Sequence, residues 1–123
     1  MNYESMSDFE INKAVAVKLG VNVDAEQYEG LCDRDERVVL CHDEFDLSVG
    51  LDYCNNPTDA WPIIIENGIA PLAEGGKIYG ATTDTYEYYE PHGNIIYSCE
   101  HKNPLRAAMI VFLMMSEEDV LCT

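Results

Sequence analysis

His101-Lys102-Asn103-Pro104-Leu105-Arg106-Ala107-Ala108-Met109, continuing through Ile110-Val111-Phe112-Leu113-Met114 to Met115, is the stretch around which the chain is organised. Asn103 is a good helix N-cap. Pro104 suits the first helical position, because the amide hydrogen that proline lacks would have no intrahelical acceptor there. From Leu105 to Met115 only Arg106 is polar, so the sequence predicts a helix buried nearly all round. Those eleven residues fall short of the roughly 20 needed to span a bilayer, which makes this a core helix. Its start carries charge of the wrong sign. His101, Lys102 and Arg106 oppose the helix dipole where carboxylates are preferred. Uncommitted backbone N–H groups beside fixed cations predict an anion site at this helix tip.

A chain of 123 residues is expected to form one domain, spanning 1–123, that folds without staples. Its hydrophobic share of 47% argues against disorder. The charge balance is extreme: 23 acidic residues against 7 basic give a formal charge of −16. Such a field repels nucleic acid and anionic membranes and favours basic surfaces, so neither nucleic acid nor membrane is an expected partner. The five cysteines (32, 41, 54, 99 and 122) are odd in number and lack C-x-x-C spacing. With no signal-peptide pattern in Met1–Phe9, free thiols in a reducing cytoplasm are expected.

Near the N-terminus, Ser7 and Glu10 form an S-x-x-E capping box, and Met6 and Ile11 are spaced for a hydrophobic staple. Ile11, Ala14, Val15 and Leu19 make one apolar face, and Gly20 is a natural stop. This helix reads as scaffold. Strands follow: Val21 and Val23 alternate with polar residues, Arg37–Cys41 is apolar-rich, and Phe45, Leu47, Val49 and Leu51 repeat every second position. Nine of the 23 residues from Asp24 to Asp46 are acidic, which fits either a solvated sheet face or a carboxylate array resembling the phosphates of DNA.

Asn55-Asn56-Pro57-Thr58-Asp59-Ala60-Trp61-Pro62 opens a second helix that ends near Asn67-Gly68. Thr58 or Asp59 is the expected cap, leaving Pro62 harmless in the first turn. The pattern Asn-Pro-x-charged-Ala thus occurs twice, at Asn56–Ala60 and Asn103–Ala107, with Asp59 and Arg106 as matching members. A buried Asp59–Arg106 bridge is the alternative to an external anion on Arg106. Further on, Glu74-Gly75-Gly76 turns into a strand at Lys77–Thr82. Tyr86, Tyr88 and Tyr89 lead to the turn Pro91-His92-Gly93-Asn94, and a strand from Ile95 to Cys99 runs into the opening segment. Five of the eight tyrosines lie between 79 and 97; there they serve either as strand packing or as flat surfaces for a nucleobase. The order of elements predicts an α+β fold: a small, mostly antiparallel sheet packed with about three helices.

Catalytic signatures are lacking. Cys41-His42, Cys54 and Cys99-x-His101 offer soft ligands without the close pairs of a structural zinc site. The chain contains no G-x-S-x-G elbow, no G-x-x-x-x-G-K-[ST] loop and no G-x-G-x-x-G. Neither a metal nor a cofactor is expected. Binding remains, and Arg106 suits bidentate phosphate contact with Lys102 as an added charge. Arg34 and Arg37 are diluted by Asp33, Asp35 and Glu36.

At Asp52–Ile69 and again at Asn103–Met109 the chain resembles the NinX-like family of small phage proteins, and the Met6–Leu19 opening also fits. Where many relatives place a glycine before the proline of the middle helix, this chain has Trp61. The resemblance implies a phage accessory protein working in the host bacterial cytoplasm. By analogy, small phage proteins without catalytic signatures disarm host defences. One route is sequestration of a nucleotide-derived immune signal by a homo-oligomer. Phosphates would then sit on His101, Lys102, Asn103 and Arg106, and a base would stack on Tyr97 or Trp61. Asn56, Thr58 and Asp59 complete that expected site. The alternative is an acidic DNA mimic, or another protein-binding inhibitor, directed at a basic host protein.

Overall fold

In the computed structural model, residues 2–23, 38–42, 48–83 and 97–121 are described. Most of the acidic 24–46 stretch lies outside them, as do Phe45, Leu47, Tyr86, Tyr88, Tyr89 and the turn at 91–94. A short 3-10 turn at Tyr3–Ser5 precedes helix α1 (Asp8–Leu19). Strands β1 (Asn22–Val23), β2 (Val39–His42) and β3 (Ser48–Leu51) follow, then α2 (Pro57–Glu66). Strands β4 (Ala70–Glu74), β5 (Lys77–Thr82) and β6 (Ser98–Glu100) lead into α3 (Pro104–Leu121). The class is α+β, with every described strand pair antiparallel. The strands divide into two three-stranded sheets, β1-β2-β3 and β4-β5-β6.

Local chemistry sets the helix ends. Ser7 accepts from the Glu10 N–H while the Glu10 carboxylate accepts from the Ser7 N–H, closing the capping box on α1. Gly20 adopts a left-handed conformation at φ 77°, and the Gly20 and Val21 amides reach back to the Val17 and Ala16 carbonyls. The buried side of α1 is Phe9, Ile11, Asn12, Val15 and Ala16; Leu19, expected on it, is exposed at the helix end. The α2 cap is Asn56 rather than Thr58 or Asp59: its side chain accepts from the Thr58 N–H. Pro57 takes the first helical position, which moves Pro62 into the helix interior. There proline supplies no amide for the carbonyl four residues back, that of Thr58, an exposed residue open to water.

Helix α3 is the hub, touching α1, α2 and all three strands of the second sheet, while α1 carries the first sheet against β1 and β2. Ala107 through Leu113 are all buried, and with Ile11, Val15, Val39 and Ile63 they form the core cluster. Strand β4, unforeseen in the sequence because Pro71 interrupts it, is an edge strand, where a missing amide is tolerated. Strands β5 and β6 approach so closely at Gly80 that a Cβ there would collide with the Cys99 carbonyl oxygen. Beyond β6, His101 still donates its N–H to the Tyr79 carbonyl at 2.8 Å, and three residues later α3 begins.

Candidate functional site

The starts of all three helices meet at one buried polar knot. Asn103 caps α3: its Oδ1 accepts from the Leu105 and Arg106 amides at 3.1 and 3.3 Å. The same side chain donates through Nδ2 to the Cys54 carbonyl at 2.8 Å and to Asn55 Oδ1 at 3.1 Å. One asparagine thereby ends a helix and ties it to the loop that opens α2. His101 closes the tip from the other side, its Nδ1 accepting from the Asn103 N–H at 2.9 Å.

Arg106 is turned inward and only 7% exposed. Its Nη1 donates to Asp8 Oδ1 at 2.6 Å, and its Nη2 to the Met6 and Tyr3 carbonyls at 2.7 and 3.2 Å. The expected Asp59–Arg106 bridge is thereby corrected, since the guanidinium is paired with Asp8 instead. Asp8 takes it from the first turn of α1, where a carboxylate also suits the helix dipole. The Arg106 Nε–H is buried without a hydrogen-bond partner among the described residues. Asp59 serves its own neighbourhood, its Oδ2 accepting from the Asp52 N–H at 3.0 Å.

The knot extends through residues that the sequence did not single out. Asp8 Oδ2 accepts from Asn55 Nδ2, which also donates to Asp52 Oδ1. Asn12, fully buried on the core side of α1, donates to Asp52 Oδ1 at 2.8 Å and accepts from the Cys54 N–H at 2.9 Å. The available signal was Asn12 itself, a polar residue on the face defined by Ile11 and Val15. Every carboxylate and amide here has a partner in the chain, as buried polar groups require. The knot fastens three helices to one another, and that is its chemistry.

The expected ligand residues therefore separate into three groups. Asn56, Asp59, His101, Asn103 and Arg106 make hydrogen bonds that build the fold. Tyr97 is half-buried against the core, its backbone paired with Thr83. Thr58, Trp61 and Lys102 are exposed, with Trp61 on the side of α2 away from buried Ala60 and Ile63. Lys18 adds another inward cation: its Nζ donates to the Phe112 carbonyl at 2.6 Å and lies 3.8 Å from the centre of the Phe112 ring.

Burial pushes the Cys41 thiol upward, with Asp59 adding to it, and burial also raises Cys99. Both thiols stay protonated at neutral pH, unlike a poised nucleophile. Tyr53 is pushed up to about 12, first by burial and then by Cys41 and Asp59. Among the described residues no three His, Cys, Asp or Glu side chains gather as metal ligands do, and no helix is long and apolar enough to cross a membrane. No curated protein and no solved structure matches this chain. A family model described as bacteriophage P22 NinX matches residues 2–116, nearly the whole length, and the chain belongs to that phage protein family.

Proposed function

We propose that this chain is a non-catalytic phage accessory protein that works in the host bacterial cytoplasm by binding a basic host protein through its acidic surface. The observation that carries this reading is the inward turn of two of its cations. Arg106 is buried on Asp8, and Lys18 is held on Phe112. Exposed among the described residues are Glu4, Glu10, Glu66, Glu74 and Glu100 against Lys77 and Lys102, with Lys13 partly exposed. A surface of that balance on a chain of charge −16 attracts a cationic partner over a distance and repels anions. For sequestration of a nucleotide signal Arg106 is the weaker anchor, because its guanidinium already holds Asp8.

The test has two arms. Tagged protein recovered from phage-infected host cells should bring down a protein of high isoelectric point, and its affinity, remeasured with purified components, should fall steeply with salt. A panel of cyclic dinucleotides and ADP-ribose derivatives should leave the thermal transition unmoved. A nucleotide-induced shift, or a partner whose binding is indifferent to salt, overturns the proposal.

A further inference from the structure

Helix α2 is apolar on two opposite sides, and the core covers one of them. Ala60 and Ile63 are buried; Pro57, Thr58, Trp61, Pro62, Ile65 and Glu66 form one continuous exposed strip. Within it Trp61 and Ile65, one turn apart, are 58% and 59% exposed. A surface helix ordinarily shows water its polar face. Here the outward strip carries a tryptophan, an isoleucine and two prolines along about 12 Å of helix. Single exposed apolar residues are unremarkable, whereas a contiguous strip marks a contact surface. Tryptophan is also the residue type most enriched among binding hot spots. The rings of Pro57 and Pro62 stiffen the strip, so less conformational entropy is lost when it is covered.

Charge identifies the occupant. Between Arg37 and Lys77 the sequence contains no lysine or arginine but seven Asp or Glu. Glu66 lies on the strip itself, and α2 contains no lysine or arginine. A second copy of the chain would bring the same acidic surroundings against themselves. A partner with a cationic rim around an apolar slot meets both features at once.

We infer that the outer face of α2 is the docking ridge for a basic protein partner, with Trp61 and Ile65 entering an apolar slot and the surrounding carboxylates meeting its cations. This rests on the acidic-surface reading above and specifies where that surface makes contact.

Trp61 is the only tryptophan in the chain, so its fluorescence reports on the ridge itself. The probe is a synthetic amphipathic helix with leucine on one face and lysine on the other. Two controls accompany it, a polylysine of equal charge and a leucine–glutamate analogue. The leucine–lysine helix should bind the full chain and shift Trp61 emission to the blue. Polylysine should bind more weakly without the shift, and the glutamate analogue should not bind. Ile65→Ser, which keeps the reporter, should weaken the leucine–lysine complex about tenfold or more.

The same measurements on the partner recovered from infected cells separate the two readings. Salt-steep binding of a basic partner that leaves Trp61 emission and the Ile65→Ser affinity unchanged sinks the ridge and spares the acidic-surface reading. Docking of the probe at the ridge with no basic partner recovered does the reverse. A wild-type dimer that Trp61→Ala converts to monomer assigns the ridge to a second copy and overturns the inference.

Discussion

Helices α2 and α3 open on the same five-residue pattern, and their starts behave oppositely. At α3 a guanidinium is driven into the interior; at α2 an indole is left in water. In both, an asparagine caps and a proline takes the first helical position, so the local backbone is alike. The difference is what stands opposite. Arg106 meets Asp8 and two backbone carbonyls from a segment about a hundred residues earlier, whereas Trp61 sits on the face of α2 turned away from the core. Local sequence sets the helix start, and distant sequence decides whether its side chains face inward or outward.

The largest expected effect comes from breaking the inward case. Arg106→Ala would leave Asp8 without its cation and take the guanidinium donor from the Met6 and Tyr3 carbonyls, and should cost on the order of 3–5 kcal/mol in urea denaturation. Asp8→Ala should approach the same value by stranding the guanidinium. The double replacement Arg106→Met with Asp8→Leu should cost less than the two single losses added together, because neither charge is then left alone. An Arg106→Ala loss below about 1 kcal/mol would mean that the knot does not hold the helices.

Next in size is Gly80→Ala, at about 3 kcal/mol, because its Cβ would meet backbone rather than a side chain that can swing away. Asn12→Ala should follow at roughly 2 kcal/mol by orphaning the Cys54 amide and one acceptor site on Asp52. Asn12 also marks the limit of what the sequence shows. Its position on an apolar face signals a buried polar role, but its partner at residue 52 has no local signature.

The same limit explains the other differences. The capping box at Ser7, the Gly20 stop and the Asn103-Pro104 start are interactions within a few residues, and each is legible from spacing alone. Arg106 had 23 acidic side chains to draw a partner from, and composition cannot choose among them. Matching Asp59 to Arg106 by motif symmetry failed because Asp59 was already needed by the Asp52 amide just before the turn. The α2 start was misplaced by two or three residues for a related reason: Asn56, Thr58 and Asp59 are all competent caps, and only the packed loop at 52–55 selects Asn56.

A pH titration sharpens the inward side of the comparison without altering the sequence. Tyr53 loses its proton near 10 in the unfolded chain but near 12 when buried. Its folded-state value is raised, so its contribution is intact below about pH 10 and is lost as pH rises toward about 12, on the order of 2 kcal/mol in all. Cys41 shifts the same way and adds to the alkaline loss. Tyr53→Phe should flatten stability between those limits; an unchanged alkaline limb would show that other groups control it.

The smallest effect is expected on the outward side. Trp61→Ala and Ile65→Ser remove large apolar side chains, yet each should change stability by less than about 0.5 kcal/mol, as exposed positions do. A core tryptophan truncated in the same way costs about 3–5 kcal/mol. A bulky residue that contributes so little to folding has its use elsewhere, and removing it should slightly raise solubility. If instead Trp61→Ala destabilises the chain by more than about 2 kcal/mol, the indole is covered in the folded protein and belongs to the core. The two helix starts would then differ only in the charge each buries.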